Sequence, residues 1–350
     1  MADIKLSICI PTYNRASFIS EILENVISQA SDNVEIVIVD GASTDNTKEL
    51  VQSYQQKFKN LVYHRGEKKM GVDRDMAKTI ELSRGKYCWM LSDDDLLKPG
   101  AINRILKEIE SGYEIYLCNV TACDLFMKPL SDRIFLSMKI KDKVFNLHDK
   151  NELIKYCNEA NSICALFSYM SSIVLRREEW AKAGYNHDFD GTAYALASSL
   201  LSFIKQKCRL KYIRDSLVLW RNDNVSFQDA HGLVKRFLLD FDGYLRLADK
   251  YLSDDLGVRN SFLKVMTREH PWYTIINVSS YIKDPESWEK FKNKLFAFGY
   301  NHRIVTFCRL LSKNRKLVSV AVKIKREIIR SGIFYRQKRS EKAIESNSYA

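Results

Sequence analysis

Residues 85–100 constrain this chain most. An apolar run short enough for a buried strand, Lys86–Leu91, ends in Ser92 and the three acids Asp93, Asp94 and Asp95, and Pro99 then permits a helix to begin. Ligands of open α/β sheets bind beyond the carboxyl ends of the strands, so acids at such an end are poised over a site. Their mutual repulsion calls for a positive partner, and hard divalent cations such as Mg2+ take oxygen ligands. A solvated turn that caps the following helix is the plainer alternative.

The same grammar repeats before and after this stretch. Lys5–Pro11 alternates as a strand and stops at Pro11-Thr12-Tyr13-Asn14-Arg15; Phe18, Ile19, Ile22, Leu23, Val26 and Ile27 then follow helical spacing with Ser17 as N-cap. Val34–Val39 reads as a second buried strand and ends in the polar run 40–47. A helix over Thr47–Phe58, a strand over Leu61–His64, a helix over Asp73–Ser83, a helix from Pro99 and a strand over Tyr113–Val120 continue the alternation. Such alternation predicts a parallel sheet with right-handed crossovers. Residues 121–150 read as a loop or lid, and Ser168–Arg177 as a further strand. Tyr185–Thr192 is a polar turn carrying His187, Asp188 and Asp190 ahead of a helix near Thr192; beyond Ala230 the pattern is helical. No Gly-x-Gly-x-x-Gly follows the first strand and no Walker loop occurs, so side chains and a metal would have to hold any nucleotide phosphates.

Composition narrows the setting. With 46% hydrophobic residues in 350 the chain can bury a large core, while no apolar run approaches the roughly 20 residues of a bilayer span. No secretory signal is visible at the N-terminus. Eight cysteines without a Cys-x-x-Cys pair read as reduced core thiols of a cytosolic protein. The net charge of +12 is concentrated late: ten Lys/Arg lie between Lys313 and Arg339 against the single acid Glu327. A basic tail favours a surface contact over nucleic acid. Leu317, Val320, Ala321, Ile324 and Ile328 give that tail an apolar helical face, suited to the interface of an anionic bilayer.

Taken together, 11–15, 40–45 and the acid triplet resemble the family 2 glycosyltransferases with the GT-A nucleotide-diphospho-sugar transferase fold, over roughly residues 4–225. The variants Gly71-Val72-Asp73-Arg74-Asp75 and 89–95 resemble in particular the bacterial O-antigen dideoxyhexosyltransferases of the abequosyltransferase type. The resemblance implies a mostly parallel α/β domain over 1–228, a helical extension over 229–312 and a basic amphipathic tail over 313–350. It implies transfer of a sugar from a nucleotide-sugar donor, with a CDP-sugar favoured and UDP- or dTDP-sugar donors for other polysaccharides as the alternative. The acceptor would be a hydroxyl of a polyprenyl-linked oligosaccharide at the cytoplasmic face of the plasma membrane.

Carried over by position, Pro11, Thr12 and Asn14, with Arg15 on the same turn, would line the base and ribose pocket, and Asp40 would meet the pyrimidine edge. Asp73 and Arg74 would complete the nucleotide site. Asp93 and Asp95 would hold Mg2+ or Mn2+ against the diphosphate, with Asp94 beside them. Counting back from Pro99 puts Ser92 where the first acid of the family pattern stands, which leaves open which two of the three aspartates form the metal pair. Arg221, Asn222 and Asn224 correspond to a loop that closes over the diphosphate, where Arg suits paired phosphate oxygens.

A direct displacement needs a base for the acceptor hydroxyl. The family's Glu-Asp pair is missing, which leaves Asp190 first and Asp188 second, helix capping being the alternative for both. The same departure leaves inversion or retention open. His187 could titrate near neutral pH, and Trp220 and Trp272 could stack on sugars or simply fill core. A nucleotidyltransferase is the enzymatic rival, but 11–15 is not its Gly-rich basic loop; a polyanion-binding protein using the tail is the non-enzymatic one.

Overall fold

The computed structural model describes residues 3–222, 226–314 and 316–324, with side chains at 226–231 left aside. Strand β1 (Leu6–Thr12) is buried along its whole length because its neighbours on both sides are parallel strands: β2 (Val34–Asp40) and β4 (Tyr87–Met90). β3 (Leu61–Arg65) extends the parallel set beyond β2. Burial on both faces explains why β1 and β2 read as near-continuous apolar runs. Helices α1 (Ala16–Ile27), α2 (Thr47–Gln55) and α3 (Val72–Leu82) make the crossovers.

Past β4 the sheet is mixed. β9 (Ile173–Arg176) inserts antiparallel between β4 and β6 (Ile115–Cys123), and β10 (Arg209–Arg221) runs parallel to β6. Two strands lie inside the stretch expected to be a loop or lid: β7 (Pro129–Arg133) pairs with β6, and β8 (Lys143–Asn146) with β10. Their short, half-polar sequences carry little alternation, and the pairing is imposed by long neighbours. Between the acids and Pro99, Leu96–Leu97 form the two-residue strand β5 against β10, so the next helix, α4 (Ala101–Glu108), starts after Gly100 in the left-handed region at φ 78°.

The outer layers are α5 (Lys150–Glu159), α6 (Arg177–Ala183) and α7 (Ala195–Gln206), followed by α8 (Ser226–Tyr251), α9 (Leu256–Glu269), α10 (Trp272–Ser280), α11 (Pro285–Ala297) and α12 (His302–Ser312). The C-terminal helices share an aromatic core in which Phe241 meets Phe237, Phe298 and Tyr300. All eight cysteines are unpaired, seven of them buried. No helix among the described residues is long and apolar enough to cross a membrane.

Candidate active site

The carboxyl ends of β1, β2 and β4 converge on one rim. Thr12 closes β1 opposite Asp40 at the end of β2, with buried Pro11 opposite Val39. The turns beyond are tied together: the Asn14 N–H donates to Ser43 Oγ at 2.8 Å, and Asn14 Oδ1 accepts from the Thr44 N–H at 2.7 Å. Asn14 reaches both by adopting φ 54°, a conformation its side chain tolerates better than most. The first N–H groups of α1 are met not by Ser17 but by Asp45 of the neighbouring turn, whose Oδ2 accepts from the Ala16 N–H at 3.1 Å. An acid at a helix N-terminus also complements its dipole.

Asp40 is fully buried and its oxygens are engaged. Oδ1 accepts from the Ser43 N–H at 2.7 Å, Oδ2 accepts from the Tyr63 hydroxyl at 2.6 Å, and Arg65 Nε lies 3.9 Å away. Asp75 lies against this strand end from α3. A Cβ on Gly41 would fall 2.6 Å from Asp75 Oδ2, so only glycine allows the approach. Burial first, and the Asp40 charge second, push the Asp75 carboxyl up to about 6. Lys69, whose Nζ sits 3.9 Å over the Tyr13 ring, opposes that shift.

The three acids after β4 have different surroundings. Asp95 is buried: Oδ2 accepts from the Ser171 hydroxyl at 2.6 Å and from the Tyr169 hydroxyl, and Oδ1 accepts from the Arg221 N–H at 3.1 Å. Asp94 accepts from the Ser92 hydroxyl at 2.6 Å. Asp93 has Arg15 Nε at 3.9 Å and lies beside the Thr12 hydroxyl, which is buried without a well-formed hydrogen bond. Burial first, and the charge of Asp94 second, raise both Asp93 and Asp95 to about 7. Charge is crowded at this rim, and Asp95 is the member already committed to protein donors.

The donor set therefore suits a hard divalent cation supported by two carboxylates and completed by substrate phosphates. Among the described residues no cluster of three or more His, Cys, Asp or Glu could hold a metal by itself. Arg221 differs from the phosphate contact expected of it. Its guanidinium donates to the Asp94 carbonyl oxygen at 2.9 Å, to Glu21 at 2.5 Å and to the Leu125 carbonyl, making it a buried clamp. Asn222 continues the chain there with its N–H on the Cys123 carbonyl at 3.0 Å, while Asn224 lies outside the described residues.

A second group of polar residues joins α3 to the turn before α7. Arg74 donates to Asp190 Oδ2 through Nε at 2.7 Å and approaches it through Nη2 at 2.6 Å; the Tyr185 hydroxyl donates to Asp190 Oδ1 at 2.5 Å. Burial alone would raise the Asp190 carboxyl, but the Tyr185 and Arg74 bonds outweigh it and hold the group below its ordinary value. His187, largely exposed, adds Nδ1 at 3.4 Å. Asp188 faces away onto α8, where Lys250 meets it at 2.6 Å. Neither aspartate caps α7. Asp73 instead ties down the turn ahead of that helix from α3, accepting from the Ala193 N–H at 3.2 Å, and Ala193 at φ 65° delays the helix start to Ala195. Trp220 is half-buried against Tyr169, with ring centroids 5.6 Å apart, whereas Trp272 is exposed on α10.

Tyr63, Tyr169, Ser171, Tyr185 and Asp75 were not foreseen. The first four carry no motif and are identified by long-range contact; Asp75 sits two residues beyond Asp73, on another face of the helix, and burial marks it.

The family model for glycosyl transferase family 2 matches residues 7–171. The abequosyltransferase RfbV of Salmonella typhimurium is 33% identical over 283 residues, 79% of this chain and 84% of that protein. The uncharacterized glycosyltransferase EpsJ of Bacillus subtilis is 21% identical over 62% of this chain and 61% of its own length. Among solved structures, S. aureus TarS 1–349 in complex with UDP-GlcNAc has a TM-score of 0.62 at 17% identity, covering 96% of this chain and 92% of that one. The mannosyltransferase PcManGT from Pyrobaculum calidifontis, in complex with GDP-Man and Mn2+, has a TM-score of 0.53 at 14% identity, covering 92% and 87%. At these identities the structural likeness speaks for the fold.

Proposed function

This chain belongs to the family 2 glycosyltransferases and has their GT-A fold, and from that premise we propose that it transfers a dideoxyhexose such as abequose from a CDP-sugar to a hydroxyl of a polyprenyl-linked oligosaccharide during O-antigen assembly. The observation that carries this reading is the crowding of the half-buried Asp93 by Asp94 beside the Thr12 hydroxyl, on the rim that also bears Asp40. A carboxylate crowded by a second one and left with an unsatisfied hydroxyl is what a cation and a phosphate would complete. The 33% identity with an abequosyltransferase supports the choice of sugar and of base.

In this reading residues 1–228 form the catalytic unit and 229–312 the acceptor-side extension. Thr12, Asn14 and Arg15 border the donor, with Pro11 setting the turn. Asp93 and Asp94 hold Mg2+ or Mn2+, because the oxygens of Asp95 already serve Tyr169, Ser171 and Arg221. The bound ion would neutralise charge that develops on the leaving diphosphate. Asp190, kept ionised by Tyr185 and Arg74, accepts the proton of the attacking hydroxyl. Asp188, already paired with Lys250, is less suited to that task. Asp73 shapes the loop carrying Asp190, and Arg221 braces the acids. Attachment to the cytoplasmic face of the membrane through the basic tail would bring the site to its lipid-linked acceptor.

A thermal-shift panel of CDP, UDP, GDP and dTDP with and without Mn2+ tests the proposal. The largest rise in Tm is expected for CDP with Mn2+. A response led by UDP or dTDP would redirect the donor, and no response to any nucleotide would remove the enzymatic reading.

A further inference from the structure

Asp75 is only 8% exposed, yet among the described residues no hydrogen bond or ion pair reaches its carboxylate. Its neighbour Asp40, the acid expected to read the donor's base, is fully buried with both oxygens taken by the Ser43 N–H, the Tyr63 hydroxyl and the Arg65 side chain. The Asp75 oxygens are not among the sealed, unsatisfied atoms of the core: a largely buried carboxylate with no protein donor that still meets the surface is open to a ligand. Gly41 keeps the space between the two acids free of side chain, since any Cβ there would meet Asp75 Oδ2. We propose that Asp75, with Asp40 as its brace, is the residue that reads the hydrogen-bonding edge of the donor's pyrimidine, and that it does so as a neutral carboxylic acid.

The chemistry follows from the edge being read. A protonated carboxyl offers one O–H donor beside one C=O acceptor, matching the ring N3 acceptor and 4-amino donor of cytosine in a bidentate pair. An ionised carboxylate has acceptors alone and would turn a lone pair toward N3. The charged groups around Asp75 favour the acid form: Asp40 of β2 repels a second negative charge, Lys69 of the 66–71 turn is the opposing cation, and Arg65 of β3 is drawn to Asp40. Thr12 and Tyr13, at the end of β1, contribute no charge at neutral pH. Burial and the Asp40 charge together lift Asp75 to about 6, within reach of a ligand that selects its acid form.

The inference rests on the donor reading above, and isothermal titration of CDP against the full chain from pH 5.5 to 8 separates the two. For the wild type, Kd is expected to rise about tenfold between pH 6 and pH 7.5, as the competent acid form is depleted. Asp75→Asn keeps a donor beside an acceptor and cannot titrate, so its Kd should stay near the low-pH value throughout, with an unchanged or higher Tm because repulsion with Asp40 is gone. Asp75→Ala should bind at least tenfold more weakly at pH 6. Wild-type affinity in Asp75→Ala, or a wild-type pH slope surviving in Asp75→Asn, overturns the role of Asp75 while leaving the donor site standing. Absence of nucleotide binding to the wild type at every pH, with or without Mn2+, overturns both.

Discussion

Arg221 and Asp95, 126 residues apart in the chain, are joined by the Arg221 backbone N–H, which donates to Asp95 Oδ1 at 3.1 Å, while the same residue's Nε donates to the Asp94 carbonyl oxygen at 2.9 Å. The end of β10 thus clamps the acid turn after β4, and the three aspartates have different surroundings. Asp95→Ala would strand the Tyr169 and Ser171 hydroxyls and the Arg221 N–H in a buried site. A loss of roughly 3 kcal/mol or more is expected from those unmet groups. Asp93→Asn instead removes a crowded charge, so its Tm should be unchanged or higher while transfer falls by about a hundredfold or more. Urea denaturation beside a transfer assay separates a brace from a working ligand; equal stability losses in both variants would reject the division.

Removal of divalent metal should act on the same pair. Treatment with EDTA is expected to lower transfer at least about a hundredfold, with recovery on adding Mn2+ or Mg2+. Asp93→Asn and Asp94→Asn should each shift the metal titration to higher concentration, whereas Asp95→Asn should leave its midpoint close to wild type. Full activity in EDTA would show that Arg15 alone offsets the charge.

Asp190 and Arg74 make a coupled prediction. Asp190→Asn should reduce kcat by about 10²–10⁴ with little change in KM, the range for loss of a general base. Because the folded carboxyl lies below its ordinary value, the acidic limb of the kcat profile should fall below the usual carboxylate range. Arg74→Ala removes one cause of that lowering and should move the limb to higher pH. A limb that stays in place in Arg74→Ala would assign the base elsewhere.

Away from the site, Glu114 tests the electrostatics of the sheet. Burial would raise its carboxyl, but bonds from the Arg209 side chain and backbone N–H outweigh this and hold it below its ordinary value. A depressed folded value contributes stability that is present above the ordinary glutamate range and is lost as pH falls through the folded one. Glu114→Gln should therefore be less stable than wild type at pH 7, and the gap should narrow in acid, as followed by urea denaturation at successive pH values.

What could be read in advance was the part written in local pattern. β1, β2 and β4 are apolar on both faces, and their polar ends announced the rim at Thr12, Asp40 and Asp93. The antiparallel insertion of β9, and the pairing of β7 and β8, depend on partners distant in sequence, so no periodicity announced them. The roles inside the site were hidden for the same reason. Asp95 differs from Asp93 through Tyr169, Ser171 and Arg221, and Asp73 holds the turn before α7 across a gap of 120 residues. Residue type identified the candidates, and tertiary contacts sorted them.

We extend the membrane contact proposed for the tail to the exposed side of α12. Ile304, Phe307 and Leu310 recur on its exposed side, and Leu317 and Val320 are exposed on the helical segment 316–324, whose Ala321 is buried and whose Val318 packs against the core. Arg303, Lys313, Lys316 and Lys323 accompany this apolar stripe. Ile328 and the rest of 325–350 lie outside the described residues. Near an anionic surface each basic residue adds about 1 kcal/mol, and the apolar residues add binding that salt does not screen. In sedimentation with vesicles rich in phosphatidylglycerol, the full chain should bind and pure phosphatidylcholine vesicles should retain little. Deleting 313–350 should remove most of the salt-sensitive binding, and Phe307→Asp with Leu310→Asp most of the salt-resistant remainder. Failure to bind anionic vesicles, with a concentration-dependent dimer in solution lost in the same double variant, would assign the stripe to a second copy of the chain.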